Sequence, residues 1–162
     1  MNFGKILQVA ASVGLVAAAT ACGGDADADG PQPAAWDTTD PCTLVASDTI
    51  ESLVTDAGEG VPTDSTDRRS CLWGKPELMN TVAVTVAALP QSTKPLRTLE
   101  VGEMTGTVLA ETKYQCILEL ETDSGVLSVE AKFGLDAALN PDMSCDRVAP
   151  LSEQATKKLA WA

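Results

Sequence analysis

The chain has 162 residues, with 23 acidic and 11 basic side chains and a net charge of −12. That balance argues against nucleic acid, whose binding rests on Lys and Arg neutralising phosphates, and against docking on anionic lipid through a basic patch. Histidine is absent, which removes the usual base near neutral pH, the commonest metal ligand and every Ser-His or Cys-His pair; mechanisms run by carboxylates or a Lys base survive.

Lys5 is the only charge ahead of an apolar run of about 14 residues, Ile6 to Ala19. This is the build of a secretory signal, and it is short of the roughly 20 residues that a membrane-spanning helix needs. Ala19-Thr20-Ala21-Cys22-Gly23 closes the run and reads as a lipobox, with Ala19 where Leu is usual. Residues 1–21 are then a lipoprotein signal peptide, and Cys22 becomes an N-terminus carrying diacylglycerol and often a third chain such as palmitate. Two or more acyl chains hold a protein stably where one does not. The expected location is the extracytoplasmic face of the cell membrane, lipid-anchored. Loss of Lys5 with the signal leaves 10 basic side chains against 23 acidic, so the acyl chains do the holding.

Residues 22–39 read as a tether of Asp, Ala, Gly, Pro and Thr with one aromatic, Trp36, too polar to fold alone. Asp25, Asp27 and Asp29 before Gly30 imitate the start of a calcium loop, but Pro31 and Pro33 follow and Trp36 occupies the place of the bidentate Glu. With Cys22 assigned to lipid, Cys42, Cys71, Cys116 and Cys145 remain, an even number in an exported chain and hence a disulfide framework. Four cysteines allow three pairings; succession along the chain favours Cys42–Cys71 with Cys116–Cys145, each closing a loop of about 29 residues worth about 3–4 kcal/mol. The rival is a four-thiolate zinc site, for which the chain has no C-x2-C spacing. No metal, cofactor or catalytic residue is expected.

Residues 40–162 form the expected folded domain. Leu44, Val45, Ile50, Leu53, Val54 and Ala57 recur at helical spacing, with Ser47 or Asp48 to cap the start and Gly58 to stop it. Residues 58–69 read as a loop. Strands are expected at Ser70–Trp73, Thr81–Leu89, Met104–Glu111, Tyr114–Glu121 and around Leu127–Phe133, with hairpin connections at Thr112-Lys113 and Asp123-Ser124-Gly125. Asn140-Pro141-Asp142 is a turn. From Cys145 a second helix runs to Lys157 and Lys158, kinked or restarted at Pro150. The expected class is α+β: an antiparallel sheet of four to five strands with an N-terminal and a C-terminal helix on one face.

Asp40-Pro41-Cys42, Cys71-Leu72-Trp73, a strand-borne Cys116 and a helix led by Cys145, behind a lipobox, resemble a family of actinobacterial lipoproteins classed as a domain of unknown function. The resemblance covers essentially the whole folded region and departs from the family at Ala46, where a Thr or Ser helix cap is common. It implies an actinobacterial envelope, an α+β fold and two disulfides, and it implies no reaction.

Pro90–Glu103 is a long connection, of the kind that is often functional. It carries Lys94 and Arg97 beside Leu96 and Leu99, a basic spot on an acidic protein and the candidate ligand contact; Arg68 and Arg69 could join it. Glu119 and Glu121 share a strand face, at a spacing that paired catalytic carboxylates use, though a solvated outer face is the plainer reading. Trp73 and Tyr114 are expected in the core, or lining a pocket. The functional expectation is a non-catalytic binding or sensing lipoprotein of the envelope, recognising an envelope ligand or membrane protein. The alternatives are a carboxylate-dependent cell-wall enzyme and a structural or assembly factor.

Overall fold

The computed structural model describes residues 32–91, 94–140 and 142–162. The signal segment and Cys22 lie outside the described residues. Seven strands form one antiparallel sheet: β1 (Val61–Asp64), β2 (Arg68–Lys75), β3 (Asn80–Ala87), β4 (Arg97–Val101), β5 (Met104–Glu111), β6 (Gln115–Thr122) and β7 (Gly125–Phe133), in the order β1-β2-β3-β7-β6-β5-β4. The expectation of a four- to five-stranded α+β domain is corrected by this: the fold is mostly β.

Two strands separate the expected count from the observed one. β1 and β4 are the sheet edges, and both fall in segments that read as loops. β1 is four exposed residues, Val-Pro-Thr-Asp, with no buried face to show in the sequence. β4 buries only Val101 fully. Each is held by its partner strand, Val61 opposite Leu72 and Leu99 opposite Gly106, so tertiary pairing rather than local pattern makes them strands. The inner strands do follow alternation. Val82, Val84 and Val86 of β3 face the same side as Cys71 and Trp73 of β2, Leu127, Val129 and Ala131 of β7, and Cys116, Leu118 and Leu120 of β6, and all are buried.

The expected N-terminal helix is also corrected. Leu44, Val45, Ile50, Leu53, Val54 and Ala57 are buried, but only Ser47–Leu53 is helical (α1), after a 3-10 turn at Pro41–Thr43. No side chain caps α1, because Ala46 holds the cap position. The chain leaves the helix at Val54, which is extended, and Asp56 and Gly58 follow with positive φ. Seven residues make two turns, a length stable only through packing. The helix α2 (Ser144–Leu159) runs without interruption through Pro150, which lies on its exposed side. Its buried stripe of Val148, Leu151, Ala155 and Leu159 lies over β4–β7.

The disulfides are Cys42–Cys71 and Cys116–Cys145, the pairing that chain order favours. The first ties the Pro41–Thr43 turn to β2; the second ties the start of α2 to β6. Chain packed on the domain begins ahead of Asp40: Ala34 N donates to Leu159 O at 2.9 Å, Trp161 Nε1 donates to Ala34 O at 2.9 Å, and Trp36 packs against the core. Among the described residues no helix is long and apolar enough to cross a membrane.

Candidate functional site

Arg97, one of the two expected ligand contacts, is committed inside the protein. Its Nε and Nη2 donate to the two oxygens of Glu111 at 2.7 and 2.8 Å, and Nη2 also donates to Asp146 at 3.0 Å. The bond from Arg97, ahead of the opposing burial, holds the Glu111 carboxyl below its ordinary value, and the same two acids raise the guanidinium. Glu111 in turn accepts from Cys145 N at 3.1 Å, a carboxylate at the positive end of α2. Arg97 therefore fastens β4 and β5 to the helix start. Lys94 is exposed. Arg68 and Arg69 do not join a basic spot with them: as neighbours on a strand they point to opposite faces, Arg68 bonded to Asp67 and Arg69 to Asp64 and Thr39 O.

Glu119 is 1% exposed, which corrects the expected solvated face. The segment following β3 folds over it: Gln91 N donates to Glu119 Oε1 at 3.0 Å and Gln91 Nε2 donates to Ser128 Oγ at 3.2 Å, Ser128 being opposite Glu119 on β7. Burial pushes the Glu119 carboxyl up, and the Gln91 amide partly opposes it. Glu121 is exposed, so the two acids do not face a shared cleft. Trp73 is core, whereas Tyr114 is 53% exposed and stands outside it.

Tyr114 belongs to a group of exposed apolar side chains that the sequence did not single out. Four chain segments meet at one end of the sheet: the β2–β3 connection (residues 76–79), the β5–β6 turn (112–114), the 3-10 segment Gly134–Leu139 after β7, and Met143 at the cap of α2. Phe133 N donates to Tyr114 O, and a side chain at Gly134 would meet Leu78 O at 2.7 Å, so these segments touch. They carry Leu78, Met79, Tyr114, Leu135, Leu139 and Met143, all exposed, Leu135 at 88% and Leu139 at 89%. Met79 holds a positive φ of 52°, unusual for a residue with a side chain.

Below this rim are two cavities that share Thr55 and Asp136. One, of about 310 Å³, lies between Leu78 and Leu135 with Lys75, Asp56 and Asn80 in its wall. The other, of about 200 Å³, is lined by Leu139, Asn140, Arg147 and the end of α1. Asp136 organises both: it accepts from Thr55 N at 2.8 Å, Thr55 Oγ1 at 3.2 Å and Asn80 Nδ2 at 2.9 Å. The Thr55 amide, more than its other partners, holds its carboxyl below the ordinary value. Arg147 stacks 3.7 Å over the Phe133 ring and donates to Leu53 O at 3.3 Å; burial pushes its pKa down, against the pull of Asp136 and Asp142. Asn80 Oδ1 and Arg147 Nη1 are buried without a hydrogen bond. The Asn80 amide is fixed in orientation, since its Nδ2 also donates to Thr55 O at 3.2 Å. Asn80 and Arg147 line the two cavities, which are open to solvent, so water there can meet the remaining polar atoms.

The base of the rim is nevertheless rigid. Cys116–Cys145, the Arg97–Glu111–Asp146 cluster and the bond from Ser144 Oγ to Gln115 O at 2.5 Å all pin the start of α2 to the sheet. Among the described residues no cluster of three Cys, Asp or Glu side chains is placed to hold a metal. No known protein family, curated protein or solved structure matches the chain. The sequence signal for the site was there in one form: Leu78-Met79, Leu135 and Leu139 are large apolar residues in turn-rich segments, outside any strand or helix period.

Proposed function

We propose that the protein is a non-catalytic binding module of the cell envelope, held on the extracytoplasmic face by acyl chains on Cys22, and that it recognises its ligand at the rim end of the sheet. One observation carries the reading. Leu78 and Leu135 stand in solvent at one cavity and Leu139 at the cavity beside it, and the two cavities share Thr55 and Asp136. Clustered exposed apolar side chains mark interaction sites, and a rigid base lowers the ordering cost of binding. The lipobox supports the anchor, and the resemblance to envelope lipoproteins supports the compartment. The burial of Glu119 under Gln91 weighs against the carboxylate-enzyme reading, which needs two acids facing one cleft.

Two measurements test this. Cys22→Ser should release the protein from the membrane fraction or leave the precursor uncut; normal processing with unchanged fractionation removes the anchor. Native mass spectrometry of the protein exposed to envelope extract should show a discrete adduct that Leu135→Glu/Leu139→Glu loses. An adduct kept by that double variant places recognition elsewhere.

A further inference from the structure

We infer that the occupant of the rim is a polypeptide segment that presents apolar side chains beside Lys or Arg. The inference rests on the proposed binding role of that end and adds the chemistry of the partner. Its apolar part follows from the cavity of about 310 Å³ between Leu78 and Leu135, open on the side where both side chains are exposed. A site of this size takes one large apolar anchor, and exposed Leu139 at the neighbouring cavity offers further apolar contact.

Its basic part follows from the charges around the rim. Lys75 is spent on Asp56 at 2.8 Å, and Arg147 is half-buried over Phe133. Lys113 stands exposed in the β5–β6 turn, and Glu51, Glu77 and Asp142, exposed beside the cavities, outnumber it. A partner carrying Lys or Arg beside its apolar anchor is steered to this end, and an acidic one is repelled. The same charges argue against a lipid surface, since anionic headgroups repel exposed carboxylates. Position argues the same way. Ala34 and Trp36 join the domain beside Leu159, Trp161 and Gly125, at the opposite end of the strands from the rim. An eight-residue strand such as β6 separates those ends by about 26 Å, so the rim is the end of the domain remote from where the N-terminal segment attaches.

The test uses the full lipidated chain in neutral detergent and a phage-displayed library of random 12-residue peptides. Enriched peptides should pair large apolar residues with Lys or Arg. A synthetic copy of the consensus should lose at least tenfold in affinity to Leu135→Glu/Leu139→Glu, several-fold to Glu51→Lys/Asp142→Lys, and several-fold between low and high salt. Because all four positions are exposed, circular dichroism and intact disulfides will confirm that the variants fold. An acidic or charge-free consensus overturns the inference, and so do peptides bound equally by the double Leu variant. No enrichment, with binding to phosphatidylglycerol vesicles that the double Leu variant loses, overturns the polypeptide and keeps the rim as the binding surface. Binding of neither probe, with an envelope adduct still lost in that variant, likewise overturns the polypeptide and leaves a small ligand. An envelope adduct kept by Leu135→Glu/Leu139→Glu removes the rim itself.

Discussion

The two ends of the sheet are built to opposite purposes. At the end where the N-terminal segment attaches, Trp161 is 9% exposed, its Nε1–H is matched by Ala34 O, and Trp36 covers the β6–β7 turn at Gly125. At the other end Leu78, Leu135 and Leu139 stand in water beside two cavities, although the positive φ of Met79 has its counterpart in Ala160 at the first end, where Leu89 is also exposed. Both belong to one sheet with one core, so the difference is not between folded and frayed. One end closes over Trp161 and Trp36; the other leaves Leu78, Leu135 and Leu139 in water at its cavities. A chain under pressure only for stability would have no reason to treat its ends so differently.

The sharpest way to break this comparison is Trp161→Ala. It removes a nearly buried ring and leaves Ala34 O unmatched, and it should cost about 3–5 kcal/mol, read as a lower midpoint in urea. A cost near zero would mean that the N-terminal end is no better sealed than the rim. Next is Cys116→Ala/Cys145→Ala. The disulfide spans 29 residues, so its loss should cost about 3–4 kcal/mol. It should also speed amide exchange over the first turns of α2, beneath the rim; unchanged exchange there would separate the cross-link from the rigidity assigned to it.

The uneven legibility of the two ends in the sequence has a physical cause. Alternation exposed β3, β6 and β7 because each sets large apolar side chains on one face and mostly small or polar ones on the other, even where both faces are buried, and chain order was enough to favour the cross-links. β1 and β4 were invisible because an edge strand with no buried stripe, such as Val61–Asp64, carries no period; its partner strand makes it. The stretch Leu44–Ala57 buries the six apolar residues of its helical pattern, yet only the seven residues Ser47–Leu53 are helical, since period reports which side chains are inside and not how long the helix lasts. Lys94 and Arg97 stood out as cations on an acidic chain, but a cation among many acids is more readily paired, and Arg97 is paired with Glu111 and Asp146. The rim needed three dimensions, because Leu78, Tyr114 and Leu139 are far apart in the chain.

Two ionisable groups sharpen the comparison in opposite directions of pH. Arg97→Met strands the Glu111 carboxylate, whose side chain is 4% exposed. With Arg97 a third exposed and partly screened, the cost should be about 2 kcal/mol at neutral pH. The Glu111 pKa is lowered in the fold, so its contribution is present above the ordinary carboxylate range and is lost as pH falls through the folded value. The penalty of Arg97→Met should therefore fade in acid, and a penalty independent of pH would show that packing, not charge, is lost. Glu119 has the opposite sign. Its pKa is raised by burial, so the penalty for ionising it appears as pH rises through the folded value. Glu119→Gln keeps an oxygen for the Gln91 amide and should modestly raise stability at neutral pH, with no gain in acid. A loss at neutral pH would mean that the charge on Glu119 holds Gln91 in place.

The smallest expected effect is the most telling. Leu135→Ser/Leu139→Ser removes two large side chains that are 88% and 89% exposed, and stability should stay within about 0.5 kcal/mol of the parent protein. In a buried position the same pair of changes would cost several kcal/mol each. If urea unfolding shows a large loss, these leucines pack in solution and the rim is a closed cap like the Trp161 end. If stability is unchanged while affinity for an apolar, basic peptide falls tenfold, the residues contribute to binding and not to folding. That is the division of labour that distinguishes the rim from the sealed end.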